Sequence, residues 1–88
     1  YFQIKHLFIM LDKYNQIFAG IFNVDLTQLT DEFDKDSIDN WDSVLQLALV
    51  EGIEDEFDIM LDTEDILNFS SYKNGKEILA KYDIQLKY

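Results

Sequence analysis

Residues 41–58 read Trp-Asp-Ser-Val-Leu-Gln-Leu-Ala-Leu-Val-Glu-Gly-Ile-Glu-Asp-Glu-Phe-Asp and carry the strongest helical signal in the chain. On a helix drawn at 100° per residue, one apolar set falls on a single side. Its members are Leu45, Leu49, Val50, Ile53 and Phe57. Asp42 precedes the set, where its carboxylate can accept hydrogen bonds from the free N–H groups of a first turn. The pattern predicts a helix over Ser43–Phe57, with Asp42 as its N-cap.

Ser43 falls at the first position of this helix. Its hydroxyl should point outward at the positive end of the helix dipole, where a phosphate group is electrostatically favoured. Beside Ser43, a second face of the helix has an apolar centre with carboxylates around it. The apolar residues are Val44, Leu47 and Ala48, and the acidic residues are Glu51, Glu54, Asp55 and Asp58. We predict that this face docks on partners; the alternative is an ordinary solvated face.

The N-terminal segment has apolar residues at steps of three and four, which predicts a helix over residues 4–22. They are Ile4, Leu7, Phe8, Leu11, Tyr14, Phe18 and Ile21, with Ile9 and Ile17 widening the stripe. The acidic connection that follows, residues 23–41, is rich in residues that favour turns. We expect one short helical turn near residues 27–29 and apolar side chains that pin the loop onto the helices. Those side chains are Val24, Leu26, Leu29, Phe33, Ile38 and Trp41.

Two shorter helices are predicted after residue 60. Asp62 and Thr63 introduce one over residues 63–68, and Ser70 or Ser71 caps another over residues 72–82. The tail, residues 83–88, alternates apolar and polar residues and either packs on the helices or frays. The chain has no proline and only three glycines. The expected fold is all-α: a four-helix bundle of three longer helices and one short helix, with a long first loop.

A chain of 88 residues forms one domain. Residues 1–3 read like the end of a protease site used to remove expression tags, so the domain is assigned to residues 4–88. The net charge of −11 disfavours nucleic acid and anionic membranes as partners and favours basic protein surfaces. No apolar run approaches the roughly 20 residues that span a bilayer, and no signal peptide is visible. A cytoplasmic monomer is expected.

The sequence contains no motif that is typical of a catalytic site or of a specific metal site. A hydrolytic serine needs an oriented base, but the one histidine, His6, is expected to be a surface or boundary residue, and there is no Gly-x-Ser-x-Gly motif. A calcium loop starting at Asp34 needs Gly and Glu where Asp39 and Leu45 stand. There is no cysteine to act as nucleophile or thiolate ligand. We predict no catalytic residues and no metal ligands.

Residues 41–45, Trp-Asp-Ser-Val-Leu, and residues 54–59, Glu-Asp-Glu-Phe-Asp-Ile, resemble the signature of the acyl carrier proteins. In that family Asp-Ser-Leu, often preceded by Trp, opens the second helix, and an acidic stretch ending in Phe follows about two turns later. The resemblance covers nearly the whole chain, from about residue 7 to residue 82. Val44 stands where Leu is usual, and Gln46 and Gly52 are less typical, but these departures leave the Asp-Ser pair intact.

The resemblance implies that a phosphopantetheinyl transferase attaches 4′-phosphopantetheine from coenzyme A to the Ser43 hydroxyl, within a motif that includes Asp42. The thiol of this arm would carry an acyl group as a thioester for fatty acid, polyketide or related biosynthesis. The protein would then be a carrier without its own catalytic site. Its other partners would be acyl-loading and acyl-processing enzymes with basic patches that fit the acidic face.

Two alternatives stay open. An aminoacyl or peptidyl carrier of nonribosomal or cell-wall chemistry would use the same Ser43 and the same arm but different cargo and partners. An acidic adaptor would use the charged face and never receive the arm. Intact mass after incubation with coenzyme A and a transferase separates the carriers from the adaptor.

Overall fold

The computed structural model describes residues 2–86, with side chains from residue 9 onward. The helices are α1 (Phe2–Phe22), α2 (Ser43–Phe57), α3 (Thr63–Asn68) and α4 (Tyr72–Ala80), with a short 3-10 helix, Leu26–Gln28, between α1 and α2. No β-strand occurs within residues 2–86, so the all-α prediction is confirmed. The side chains of His6, Ile4, Leu7 and Phe8 lie outside the described residues, as do residues 87–88.

The helix boundaries follow the local sequence signals closely. The bounds of α2 and α3 are those predicted, and the short helical turn of the first loop is present one residue early. Helix α1 begins at Phe2, inside the stretch assigned to an expression tag, and that assignment stays a prediction. Helix α4 ends at Ala80, two residues before its predicted end. With lengths of 21, 15, 6 and 9 residues, the helices are two long and two short rather than three and one.

An aromatic cluster forms the centre of the core. Tyr14, Phe18 and Phe22 lie four residues apart on one face of α1, and all three are buried. The ring of Phe18 lies 5.4 Å from that of Tyr72 and 6.1 Å from that of Trp41, centroid to centroid. Tilted and edge-on arrangements of this kind suit the charge distribution of aromatic rings. The first loop and α4 therefore pack on the same face of α1.

The long first loop is held by two buried side chains and two backbone hydrogen bonds. Phe33 and Trp41 are each about 4% exposed. The backbone N–H of Lys35 donates to the Ser70 carbonyl at 2.8 Å, and the N–H of Tyr72 donates to the Phe33 carbonyl at 2.9 Å. The predicted pinning of this loop is confirmed for these residues, and the loop is joined to the segment between α3 and α4.

Two apolar residues predicted to be buried are exposed. Ile9 is 52% exposed, since nine residues are two and a half helical turns and place it opposite Phe18. Leu26 is 48% exposed, and the 3-10 helix that it opens has no buried residue. The chain around that helix is held instead by Val24 and Leu29, which are half-buried against the core.

Residues 83–86 pack on the helices, so the alternative of a frayed tail is wrong for this part. Asp83 adopts a left-handed backbone conformation with φ 66°, and the N–H of Ile84 donates to the Leu79 carbonyl at 3.1 Å. This turn follows the end of α4 at Ala80. Ile84 and Leu86, two residues apart, are both buried. None of the helices in residues 2–86 is long and apolar enough to cross a bilayer.

Gly75 allows the backbone of α4 to lie against the side chains of Tyr14 and Phe69. The hydroxyl of Tyr14 donates to the Tyr72 carbonyl at 2.6 Å, which brings the first turn of α4 against α1. A Cβ atom at position 75 would come closer than 3.0 Å to the Tyr14 hydroxyl oxygen and to the Phe69 ring. Burial raises the pKa of Tyr14 well above its ordinary value, and the nearby Tyr72 adds to this effect. The Tyr14 hydroxyl therefore stays protonated as a donor.

A buried carboxylate ties α3 to the residues after α4. Asp65 accepts hydrogen bonds from Lys81 Nζ at 2.5 Å and from the Tyr82 hydroxyl at 2.6 Å. The Tyr82 oxygen in turn accepts from the Asp62 N–H at 2.9 Å. The hydrogen bond from Lys81, and then the one from Tyr82, lower the pKa of Asp65, although burial works against them. Asp62 occupies the N-cap position of α3, but its side chain makes no capping hydrogen bond.

Asp65→Asn should remove a pH-dependent part of the stability. Because the folded chain lowers the pKa of Asp65, its stabilising effect is complete above the ordinary value, about pH 4, and is lost as the pH falls through the lowered pKa. The difference in unfolding free energy between wild type and variant should therefore be largest near neutral pH and shrink in acid. Urea denaturation at a series of pH values from neutral to acidic measures this difference, with Asp12→Asn as the control at an exposed position. A difference that does not vary with pH would contradict the assignment.

Candidate functional site

Ser43 is exposed and is the first residue of α2. Asp42 precedes it in an extended conformation, and its carboxylate accepts a hydrogen bond from the Leu45 N–H at 2.9 Å. The predicted cap and helix start are confirmed. No described residue hydrogen-bonds to the Ser43 hydroxyl, so this hydroxyl is accessible and has no hydrogen-bonded base among the described side chains.

A cleft of about 330 Å³ opens beside Ser43 between α2, α3 and the first loop. Its lining residues are Ser43, Gln46 and Leu47 of α2, Ile66 and Leu67 of α3, and Lys35 of the loop. Leu47 is 59% exposed and Leu67 is 76% exposed, so two large apolar side chains remain accessible at its walls. The cleft combines an apolar lining with a serine hydroxyl and an ammonium group.

Gln46 holds the walls of this cleft together. Its Oε1 accepts from Trp41 Nε1 at 2.6 Å, and its Nε2 donates to the backbone carbonyls of Ile66 at 2.9 Å and Phe69 at 2.8 Å. One side-chain amide thereby joins the first loop, α2 and the end of α3. From the sequence, Gln46 was noted only as a departure from the residues that are typical of this helix in the family that the chain resembles. The structure shows that its hydrogen bonds connect α2, which begins at Ser43, to the end of α3.

Gln46→Ala should lower the free energy of unfolding by about 2 kcal/mol, since it leaves part-buried polar groups without partners. Those groups are the Trp41 indole N–H and the Ile66 and Phe69 carbonyls. Urea denaturation followed by far-UV circular dichroism measures the loss. The control is Gln16→Ala on an exposed position of α1, which should change stability by less than about 0.5 kcal/mol. Equal effects of the two substitutions would contradict the role assigned to Gln46.

The face of α2 predicted to dock on partners is largely accessible. Val44 is 70% exposed, Leu47 is exposed as well, and Ala48 is half-buried. Glu51 and Asp55 are exposed one turn apart on the same helix. An apolar centre with charge beside it is thus present on the surface, but two of the acidic residues assigned to it have structural tasks.

Glu54 and Asp58 belong to the end of α2. Glu54 is half-buried, and its carboxylate accepts a hydrogen bond from the Leu61 N–H at 2.9 Å. Asp58 is exposed and ends the helix in a left-handed conformation with φ 54°. Replacing Glu54 would alter the chain after α2 as well as the surface charge. Glu51 and Asp55 are therefore the cleaner positions for testing the docking surface.

Lys35, Ile66 and Leu67 are site residues that sequence reasoning missed. Lys35 could have been noticed, since it is the only basic residue between Lys13 and Lys73. Ile66 and Leu67 could not, because only the docking of α3 beside α2 brings them to Ser43. Among the described residues, no acidic or histidine side chains group together in a way that could hold a metal ion.

Comparison with known proteins adds no relative to this picture. No family model, no curated protein and no solved structure matches the chain. The interpretation of the site therefore rests on the position of Ser43, the cleft beside it and the charge around it.

Proposed function

We propose that the chain is an acyl carrier protein whose Ser43 receives a 4′-phosphopantetheine arm from coenzyme A. The observation that carries the proposal is an exposed serine at the start of α2, directly after its aspartate N-cap and at the edge of an apolar cleft. The absence of a hydrogen-bonded base at Ser43 among the described residues favours a hydroxyl modified by another enzyme over a hydrolytic nucleophile. The order of the helices and the long first loop are compatible with a bundle of the acyl-carrier type.

The Ser43 hydroxyl would attack a phosphorus atom of coenzyme A only within the complex with a transferase. Its oxygen would displace the adenosine bisphosphate half of coenzyme A, and a base of the transferase would take the hydroxyl proton. When attached, the arm supplies the thiol that carries an acyl group as a thioester, in a chain that has no cysteine. Leu47, Ile66 and Leu67 would offer an apolar wall to the attached chain and shield it from water.

The partners would be transferases and acyl-loading and acyl-processing enzymes with basic surfaces. The protein would bind them as a monomer in the cytoplasm. Opposite charges on two surfaces speed their encounter more than they strengthen the complex. This suits a carrier that must visit several enzymes in turn.

The double variant Glu51→Lys and Asp55→Lys should slow modification of Ser43 by a transferase. The loss should lie mainly in the association rate and should shrink at about 1 M salt, where the Debye length is roughly 3 Å. Stopped-flow association measurements at low and high salt test this. The double variant Asp12→Lys and Asp31→Lys changes the net charge equally at exposed positions outside α2. Equal slowing in both would mean that overall charge, and not the α2 surface, governs docking.

An aminoacyl or peptidyl carrier is the second candidate, because Ser43 and its cleft would serve it equally. Incubation with coenzyme A and a promiscuous transferase tests the shared claim, since an adaptor without the arm gains no mass. Loading trials with purified adenylating enzymes, one set for amino acids and one for fatty acids, then separate the two classes of carrier.

A further inference from the structure

Hydrogen bonds hold the stretch of backbone that carries Lys35, one of the residues that line the cleft beside Ser43. Its N–H donates to the Ser70 carbonyl at 2.8 Å, and the turn that follows is closed by a hydrogen bond from the Ser37 N–H to the Asp34 carboxylate at 2.9 Å. The backbone of Lys35 is thus attached both to the loop itself and to the segment between α3 and α4. Its side chain lines the same cleft as Ser43.

The ammonium group of Lys35 is the only positive charge among the residues that line this cleft. It forms no ion pair with any described carboxylate, although its sequence neighbours Asp34 and Asp36 are acidic. By contrast, Lys81 pairs with Asp65. In a chain with net charge −11, Lys35 is thus an exposed cation beside the predicted modification site and is accessible to an anion attached there.

We propose that the Lys35 ammonium group pairs with the phosphodiester that joins the arm to Ser43, and thereby holds the first part of the arm over the cleft. This inference rests on the proposed function. The phosphodiester is the anion that the geometry favours, because its phosphorus is bonded to the Ser43 oxygen and so stays at the cleft whatever cargo the arm carries. An ammonium group offers three donors to phosphate oxygens, and it offsets the repulsion between a new negative charge and Asp42.

The test compares each protein before and after complete loading with the arm. The change in melting temperature on loading should be about 2–4 °C more negative for Lys35→Glu than for wild type. The expected difference is small because an exposed ion pair contributes modestly to stability. Lys73→Glu is the control, because it changes the net charge equally at an exposed position of α4. Its change in melting temperature on loading should equal that of wild type.

Phosphorus-31 NMR of the loaded proteins gives a second measurement that does not depend on any activity. The phosphodiester resonance should shift in Lys35→Ala, stay near its wild-type position in Lys35→Arg, and be unchanged in Lys73→Ala. Loaded Lys35 and Lys73 variants that behave alike in both measurements would overturn the pairing and leave the proposed function standing. A wild-type chain that accepts no arm would instead overturn the proposed function itself.

Discussion

Gly75→Ala should destabilise the protein by about 3 kcal/mol, because the added methyl group enters a packed core. Its Cβ would come closer than 3.0 Å to the Tyr14 hydroxyl oxygen and to two carbons of the Phe69 ring. Neither ring can easily move aside, since Tyr14 is fully buried and Phe69 is 1% exposed. Displacing Tyr14 would also break its hydrogen bond to the Tyr72 carbonyl. Equilibrium urea denaturation measures the loss of unfolding free energy.

The matched control is Gly20→Ala in α1. Gly20 is exposed, and apart from its chain neighbours and the adjacent helix backbone no atom lies within 4 Å of a Cβ built at that position. There the higher helix propensity of alanine should stabilise the protein by up to about 1 kcal/mol. The same chemical change thus has opposite expected signs at two helical glycines. A tolerated Gly75→Ala would mean that α4 does not lie as close to the Tyr14 and Phe69 side chains as described.

Ser43→Ala should abolish attachment of the arm while leaving the fold intact. The Ser43 side chain is exposed and makes no hydrogen bond to a described residue, so its removal should change stability by less than about 0.5 kcal/mol. Melting curves of variant and wild type should therefore nearly coincide. Intact mass spectra should show modification of wild type and none of the variant.

Ser37→Ala is the control for this loss. Ser37 is an exposed serine of the first loop and contributes only its backbone N–H to the turn there. The variant should accept the arm as wild type does. If Ser43→Ala still gained the arm, the site assignment would be wrong, and peptide mapping would locate the serine in use.

Local signals explain why α2 and its cap were predictable. The apolar face of the helix, its start after Asp42 and its end at Phe57 all depend on residues within a few turns of one another. Asp42 contacts an N–H only three residues away. The position of Ser43 at the start of a helix could therefore be predicted from sequence.

Contacts between distant segments explain what was missed. The bonds from Gln46 reach carbonyls 20 and 23 residues further along the chain, so nothing near Gln46 in sequence indicates them. Gly75 is required by Tyr14 and Phe69, and its importance appears only when α4 is packed. The tail is held because Ile84 and Leu86 meet the core after a turn at Asp83. The burial of Ile9 was predicted wrongly, because the buried face of α1 is narrower than the apolar stripe in its sequence.

The central claim is that Ser43 is an attachment site, and one intact-mass measurement tests it most directly. The wild-type chain is incubated with coenzyme A and a promiscuous phosphopantetheinyl transferase, beside a known carrier protein as a positive control. The whole population should gain the mass of one phosphopantetheine group, and fragmentation should place it on Ser43. An unchanged mass, in a reaction where the control protein is fully modified, would contradict the account.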